Sequence, residues 1–235
     1  MGTSRTGKTM ASIQIASFSP TVSGKEVVVK LDDIYPKIKT HLTHSDPFQL
    51  LIATILSAQS TDVQVNKVTP KLFQRFPDAK SMSIARISDL ERLVRSTGFY
   101  HVKARRIREI SKQIMVRFEG KVPDNMEALL SLKGVGRKTA NIVLSAGYGK
   151  IEGIAVDTHV FRLSRRIGLT AQKTPEKIEA DLMKITPKDL WPRLSTLLIF
   201  HGRQICSARS PKCLQCVLNS KCHYFKNLKR MNPAG

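Results

Sequence analysis

A lysine in the first turn of a helix is electrostatically out of place, because that end already carries about half a positive charge. The stretch SLKGVGRKTANIVL, Ser131 to Leu144, puts one there: Gly134 and Gly136 form a tight turn, Arg137, Lys138 and Thr139 follow, and Ala140 to Leu144 read as helix. An unprotonated lysine amine is a nucleophile, and a helix N-terminus, the adjacent Arg137 and a partly dry pocket would all act to lower its pKa. Nineteen residues later, Asp157 in AVDTHVFRLSRR precedes another helix. Its commonest use there is as an N-cap.

The four cysteines are the second cluster with chemistry. Cys206, Cys213, Cys216 and Cys222 follow the pattern C-x6-C-x2-C-x5-C within 17 residues, and no cysteine precedes them. A disulfide scaffold spreads its cysteines through a short chain, so this clustering points to one metal site rather than to two disulfides. Four thiolates suit zinc or an iron–sulfur cluster, and the spacing does not choose between them.

The elements that must position these residues are almost all helical. DPFQLLIATILSAQ begins with Asp46 as N-cap and Pro47 at the first helical position, and it is apolar enough to be a central buried helix. Amphipathic runs follow at about 62–76, 83–96, 101–118, 125–132, 137–147, 158–167, 175–185 and 188–204, separated by glycines and prolines. No stretch offers alternating strands, so an all-α fold of about ten helices in short-looped hairpins is expected. Residues 1–25 hold nine Ser/Thr and no acid, and are read as a disordered leader. GTSRTGKT, Gly2 to Thr9, matches a phosphate-loop pattern, but no strand precedes it and no apolar helix follows.

Charge names the partner. In 235 residues, 39 Lys+Arg against 18 Asp+Glu give a net charge of +21 and an isoelectric point near 10.2, far beyond what solubility needs. That excess points to a polyanion, with nucleic acid first. From Arg95 to Arg117 seven bases face Glu109 alone, and from Cys206 to Gly235 six bases meet no acid. No apolar run reaches the ~18 residues of a membrane span, so no membrane partner is expected. A hairpin of two helices around Gly134 and Gly136 can offer backbone N–H groups to a phosphate, holding DNA without reading its sequence.

LKGVGRKTANIVL, IAVDTHVFRLSRRIGL, LLIATILSAQSTDVQVNKVTPKLF and the cysteine spacing together resemble the endonuclease III family, iron–sulfur DNA glycosylase/AP lyases of the helix-hairpin-helix superfamily, over about residues 27 to 225. The resemblance implies two helical domains with a DNA-binding cleft between them: a six-helix domain at 43–151 carrying the hairpin, and a discontinuous domain of 26–42 plus 152–235 carrying the cluster. It implies Lys138 as the nucleophile that attacks the sugar C1′ and Asp157 as its catalytic partner. Gln59 matches the residue that fills the duplex where a base has been flipped out, whereas alone it would read as a polar helix end. Phe99 stands where the family often has a leucine wedge, and Lys133 where it commonly has proline. Gly134, Gly136 and Arg137 would meet the DNA backbone, as would Arg209 and Lys212 in the loop SARSPK. The cysteines would hold a [4Fe-4S] cluster in preference to zinc. His159 stays outside the catalytic set, as a packed or capping side chain.

The function implied is base excision repair of oxidised pyrimidines such as thymine glycol in damaged double-stranded DNA, with strand cleavage by β-elimination. A monomer located with intracellular DNA, in cytoplasm, nucleoid or nucleus, is expected. A mismatch-specific thymine or uracil glycosylase is the nearest alternative, and a non-catalytic structural DNA-binding protein the rival from another class.

Overall fold

The computed structural model describes residues 19–38 and 42–231. The reading of residues 1–25 as a leader, and the phosphate-loop pattern within it, fall outside the described residues up to 18. Over 19–25 that reading needs correction. Val22 is buried, and the Ser23 hydroxyl accepts the Glu26 N–H at 3.1 Å to cap the first helix. Serine and threonine content read as disorder is, at this end, helix-capping chemistry.

Twelve α-helices follow among the described residues, and no strand. They are α1 (Gly24–Ile34), α2 (Pro47–Leu56), α3 (Asp62–Arg75), α4 (Ala79–Ser83), α5 (Ile87–Val94), α6 (Tyr100–Phe118), α7 (Met126–Leu130), α8 (Arg137–Ile142), α9 (Thr158–Ile167), α10 (Pro175–Lys184), α11 (Trp191–Gln204) and α12 (His223–Met231). The capping chemistry is plain: Asp46, Thr61, Asp78, Asn125, Asp157 and Thr174 each accept a backbone N–H at the start of a helix, a contact that stabilises by about 1 kcal/mol each. The run expected at 83–96 is an α-helix only over Ile87–Val94, and a helix not expected lies ahead of it. Asp78 caps a separate short helix, and the chain restarts at Ile87. Helix α12 lies beyond the last expected run.

Two hydrophobic cores organise these helices. One draws on residues between Phe48 and Leu144, with α2 central: Leu50 to Ala53 and Leu56 are fully buried or nearly so. The other joins Val22, Val27, Val28 and Leu31 to residues between Ile154 and Leu218. Helix α1 therefore packs on α11, and shares a core with α9, although more than a hundred residues separate it from both. The chain crosses between cores after α8, whose end widens into a π-turn over Val143–Gly147.

The crossing is tied by one carboxylate. Glu179 on α10 is only 4% exposed and accepts from Arg137 Nε at 2.5 Å, Asn141 Nδ2 at 2.8 Å and the Ile154 N–H at 3.2 Å. A β-carbon on Gly153 would lie 2.1 Å from Glu179 Oε1, so only glycine lets the carboxylate reach that far. The second core thus holds the first turn of α8, where Lys138 sits. No helix among the described residues is long and apolar enough to cross a membrane.

Candidate active site and nucleic-acid interface

A cleft of about 710 Å³ lies between the two cores, and both contribute to its walls. Gln59, Asp62 and Lys138 come from the first side, Asp157, His159 and Arg203 from the second. The cleft is bridged by an ion pair, Arg203 Nη1 to Asp62 Oδ2 at 3.0 Å, between the end of α11 and the start of α3.

The hairpin that carries Lys138 is built as its glycines require. Gly134 has φ +97, a conformation that a side chain strains. Gly136 is different: its φ is −94 and a β-carbon there would meet nothing within 4 Å. This second glycine is the N-cap of α8, a position that suits glycine better than alanine. The turn closes with Val135 N–H to Leu132 O at 2.9 Å and Ala140 N–H to Gly136 O at 3.0 Å. Lys133, the departure from proline, is accommodated because its N–H donates to Gln113 Oε1 at 2.8 Å.

Lys138 is exposed. The partly dry pocket expected for it is therefore an open cleft. Arg137, grouped with the DNA contacts by position, commits its Nε to Glu179 instead. Across the cleft, Asp157 is the N-cap of α9, its Oδ1 accepting the N–H groups of His159 and Val160, both at 2.8 Å. The cap uses one carboxylate oxygen, so capping and chemistry do not compete for the same atom. His159 Nδ1 lies 3.2 Å from Arg162 Nη2, and Gly202 leaves it room, since a β-carbon there would come within 2.8 Å. Burial pushes the His159 pKa down, against the raising influence of Asp157, so the imidazole is neutral at neutral pH.

Gln59 and Phe99 share an unusual backbone. Gln59 lies in the turn between α2 and α3 with φ +54, and Phe99 precedes α6 with φ +48. Both are exposed, Phe99 by 66%. Left-handed backbone in residues with a β-carbon costs on the order of 1 kcal/mol or more and persists where the surroundings enforce it.

The four cysteines line one small cavity with Leu163, His201 and Leu218. Among the described residues, no group of three or more His, Cys, Asp or Glu is arranged as a ready metal site. The donors are nevertheless all sulfur, and their environment disfavours bare thiolates: burial pushes Cys213, Cys216 and Cys222 up, Cys216 to about 11, and the neighbouring cysteines add to the rise. A bound cation reverses such a preference. Helix α9 holds the loop in place. Arg162 donates to Cys206 O at 3.0 Å, and Arg166 donates to Ser207 O and Ala208 O at 2.7 and 2.8 Å. One helix thus begins at Asp157 and ends on the cysteine loop. Arg209 and Lys212 are exposed on that loop.

Four residues of this arrangement escape a reading of the sequence: Glu179, the Asp62–Arg203 pair and a buried lysine, Lys103. The first reads as one of several charges on α10. Lys103 does leave a signal, because it falls in register with Ile107, Ile110 and Ile114 on the buried stripe of α6.

Residues 52–188 match the family model for the HhH-GPD superfamily base excision DNA repair protein. Endonuclease III of Synechocystis is 48% identical over 197 residues, covering 84% of this chain and 90% of that protein. Endonuclease III of Thermotoga maritima is 40% identical over 194 residues, covering 83% and 91%. Among solved structures, a non-covalent endonuclease III–DNA complex superposes with a TM-score of 0.82 at 38% identity, covering 89% of this chain and 99% of that one. A trapped endonuclease III–DNA covalent intermediate gives the same TM-score at 39% identity.

Proposed function

The chain belongs to the endonuclease III family, within the HhH-GPD superfamily of base excision DNA repair proteins, and from that membership we propose how its own residues act as a bifunctional DNA glycosylase/AP lyase on damaged double-stranded DNA. Lys138 is the nucleophile and Asp157 its partner. The observation that carries this reading is that an amine on the hairpin and a carboxylate from the other core face one cleft.

The Lys138 ammonium first loses a proton to water, and the Asp157 carboxylate, which stays ionised, assists from the other wall of the cleft. Nζ adds to the sugar C1′, the bond from C1′ to the base breaks, and the base leaves with a proton. Asp157 balances the positive charge that develops on the sugar during this step. Opening of the sugar ring leaves an imine between Nζ and C1′. The imine draws electrons from the C2′–H bond, that proton departs, and the C3′–O bond breaks to release the 3′ phosphate. Water then hydrolyses the imine and returns the amine. Oxidised pyrimidines of the thymine glycol type are the substrates we assign. Gln59 and Phe99 enter the space left by the flipped base, since unstacking costs a few kcal/mol and the hole must be filled. Gly136, Arg209 and Lys212 meet DNA phosphates. The two cores correspond, in this reading, to a domain at 43–151 and a discontinuous one built from α1 and the residues after 152.

Replacing Lys138 with Gln should lower strand cleavage by more than ~10⁴-fold, the scale on which removal of a nucleophile acts, while lesion-DNA binding stays. Cleavage that persists in this variant would overturn the assignment.

We also infer a [4Fe-4S] cluster held by Cys206, Cys213, Cys216 and Cys222. Its support is a set of four sulfur donors on one cavity, and its role is to shape the loop carrying Arg209 and Lys212. Purified protein should absorb visible light and contain iron and acid-labile sulfide, with the colour lost in Cys213→Ser. A colourless protein with stoichiometric zinc would contradict the inference.

A further inference from the structure

Three residues other than glycine have positive φ among the described residues, and two of them, Gln59 and Phe99, bracket one buried lysine. Lys103 is 5% exposed. Its Nζ donates to Ser60 Oγ at 2.8 Å and to Thr97 O at 2.7 Å, and Ser60 Oγ donates to the same Thr97 carbonyl. One ammonium thus bonds to the residue after Gln59 and to the residue two before Phe99. A second strap runs alongside, Gln64 Nε2 to Ser96 Oγ at 2.6 Å. Both partners of Nζ are neutral oxygens, so burial of the charge is not offset by a carboxylate, and desolvation pushes the lysine pKa down.

A leucine or methionine would continue the apolar stripe of α6 without that cost. What the ammonium adds is direction: two bonds that reach two different turns at once. Gln59 and Phe99 are 40 residues apart in sequence, and each sits in a backbone conformation that survives only where its surroundings over-determine it. We propose that Lys103 is a positioning residue for base extrusion: it locks the turns bearing Gln59 and Phe99 to each other, so that the two wedges meet the duplex as one preformed unit. A preformed pair avoids ordering two loops at the moment of binding. This inference rests on the wedge roles given above for Gln59 and Phe99. The chemistry at the sugar, which uses Lys138 and Asp157, is untouched by it.

The test separates the brace from the activity. Lys103→Met keeps the stripe and removes both bonds. Amide hydrogen exchange on the DNA-free protein should rise about tenfold or more at residues 58–61 and 97–100, with α2 and the centre of α6 unchanged. Single-turnover cleavage of a duplex with a paired thymine glycol should fall about tenfold or more. Borohydride trapping on a single-stranded abasic oligonucleotide, which has no partner base to displace, should stay within about twofold. Unchanged exchange at both turns would overturn the brace whatever the DNA assays give, and equal losses on both substrates would overturn its role in extrusion. A wild-type protein that cleaves neither substrate would sink the glycosylase/lyase reading, and turn exchange would still decide the brace. If Lys103→Met does not fold, Ser60→Ala removes the shared hydroxyl and leaves the lysine in place. It should raise exchange at both turns and slow the paired lesion several-fold, and no change in either would overturn the proposal.

Discussion

Asp157 has one use that its hydrogen bonds show and a second that we propose. It caps α9 through Oδ1, and the position before a helix is enough to expect that. Separating the two uses needs two substitutions. Asparagine caps about as well as aspartate but has no charge, whereas alanine does neither. Asp157→Asn should leave the melting temperature near wild type while lowering the single-turnover rate by about 10²- to 10⁴-fold. Asp157→Ala should add a stability loss of about 1 kcal/mol, measured by denaturant unfolding. Equal rates for wild type and Asp157→Asn would leave the carboxylate with capping alone. Other residues hide from the sequence for a physical reason. Glu179 in PEKIEADLMK looks like any solvated helix charge, and its burial depends on Gly153 and Asn141 arriving from another part of the chain.

At the scale of elements, the two glycines of the hairpin make different demands. Gly134→Ala puts a β-carbon on a left-handed backbone and should cost about 1–2 kcal/mol of stability. Gly136→Ala meets open space at a normal φ, so its folding cost should be the roughly 0.5–1 kcal/mol of an alanine at an N-cap. It should nevertheless weaken duplex binding, because in the proposed function a phosphate approaches closely where the added methyl would stand. Melting curves and titration of a lesion duplex check both, and a Gly136→Ala protein that binds normally would remove the close-approach argument. This hairpin is legible in sequence because its signals are local: a glycine pair, a following helix, and a helix before it. The same locality explains why most helix boundaries were accessible from caps and periodicity. Short α4, ahead of the run expected at 83–96, and late α12 escape such a reading, because their apolar spacing is short or diluted by lysine and arginine.

For the molecule as a whole, periodicity shows which face of a helix is apolar but not which other face it meets. The packing of α1 against α11 is of that kind, and so is the cleft itself; no stretch of sequence contains it. Charge, by contrast, is legible at once, and it makes a global prediction. With a net charge of +21, duplex binding should fall linearly in log–log form as salt rises, with a slope of about −0.9 per phosphate contacted. Lys212→Ala and Arg209→Ala should each reduce that slope by about one if the cysteine loop meets DNA. An unchanged slope in both would place the loop off the duplex.

The central claim is that Lys138 forms the covalent bond to the sugar. The direct measurement is borohydride trapping on a duplex with one thymine glycol, beside an abasic-site duplex and an undamaged one, followed by mass spectrometry of the digested adduct. The account predicts an adduct with both lesions, none with undamaged DNA, and the sugar remnant on Lys138. An adduct mapped to another lysine, or no adduct with either lesion, would contradict it.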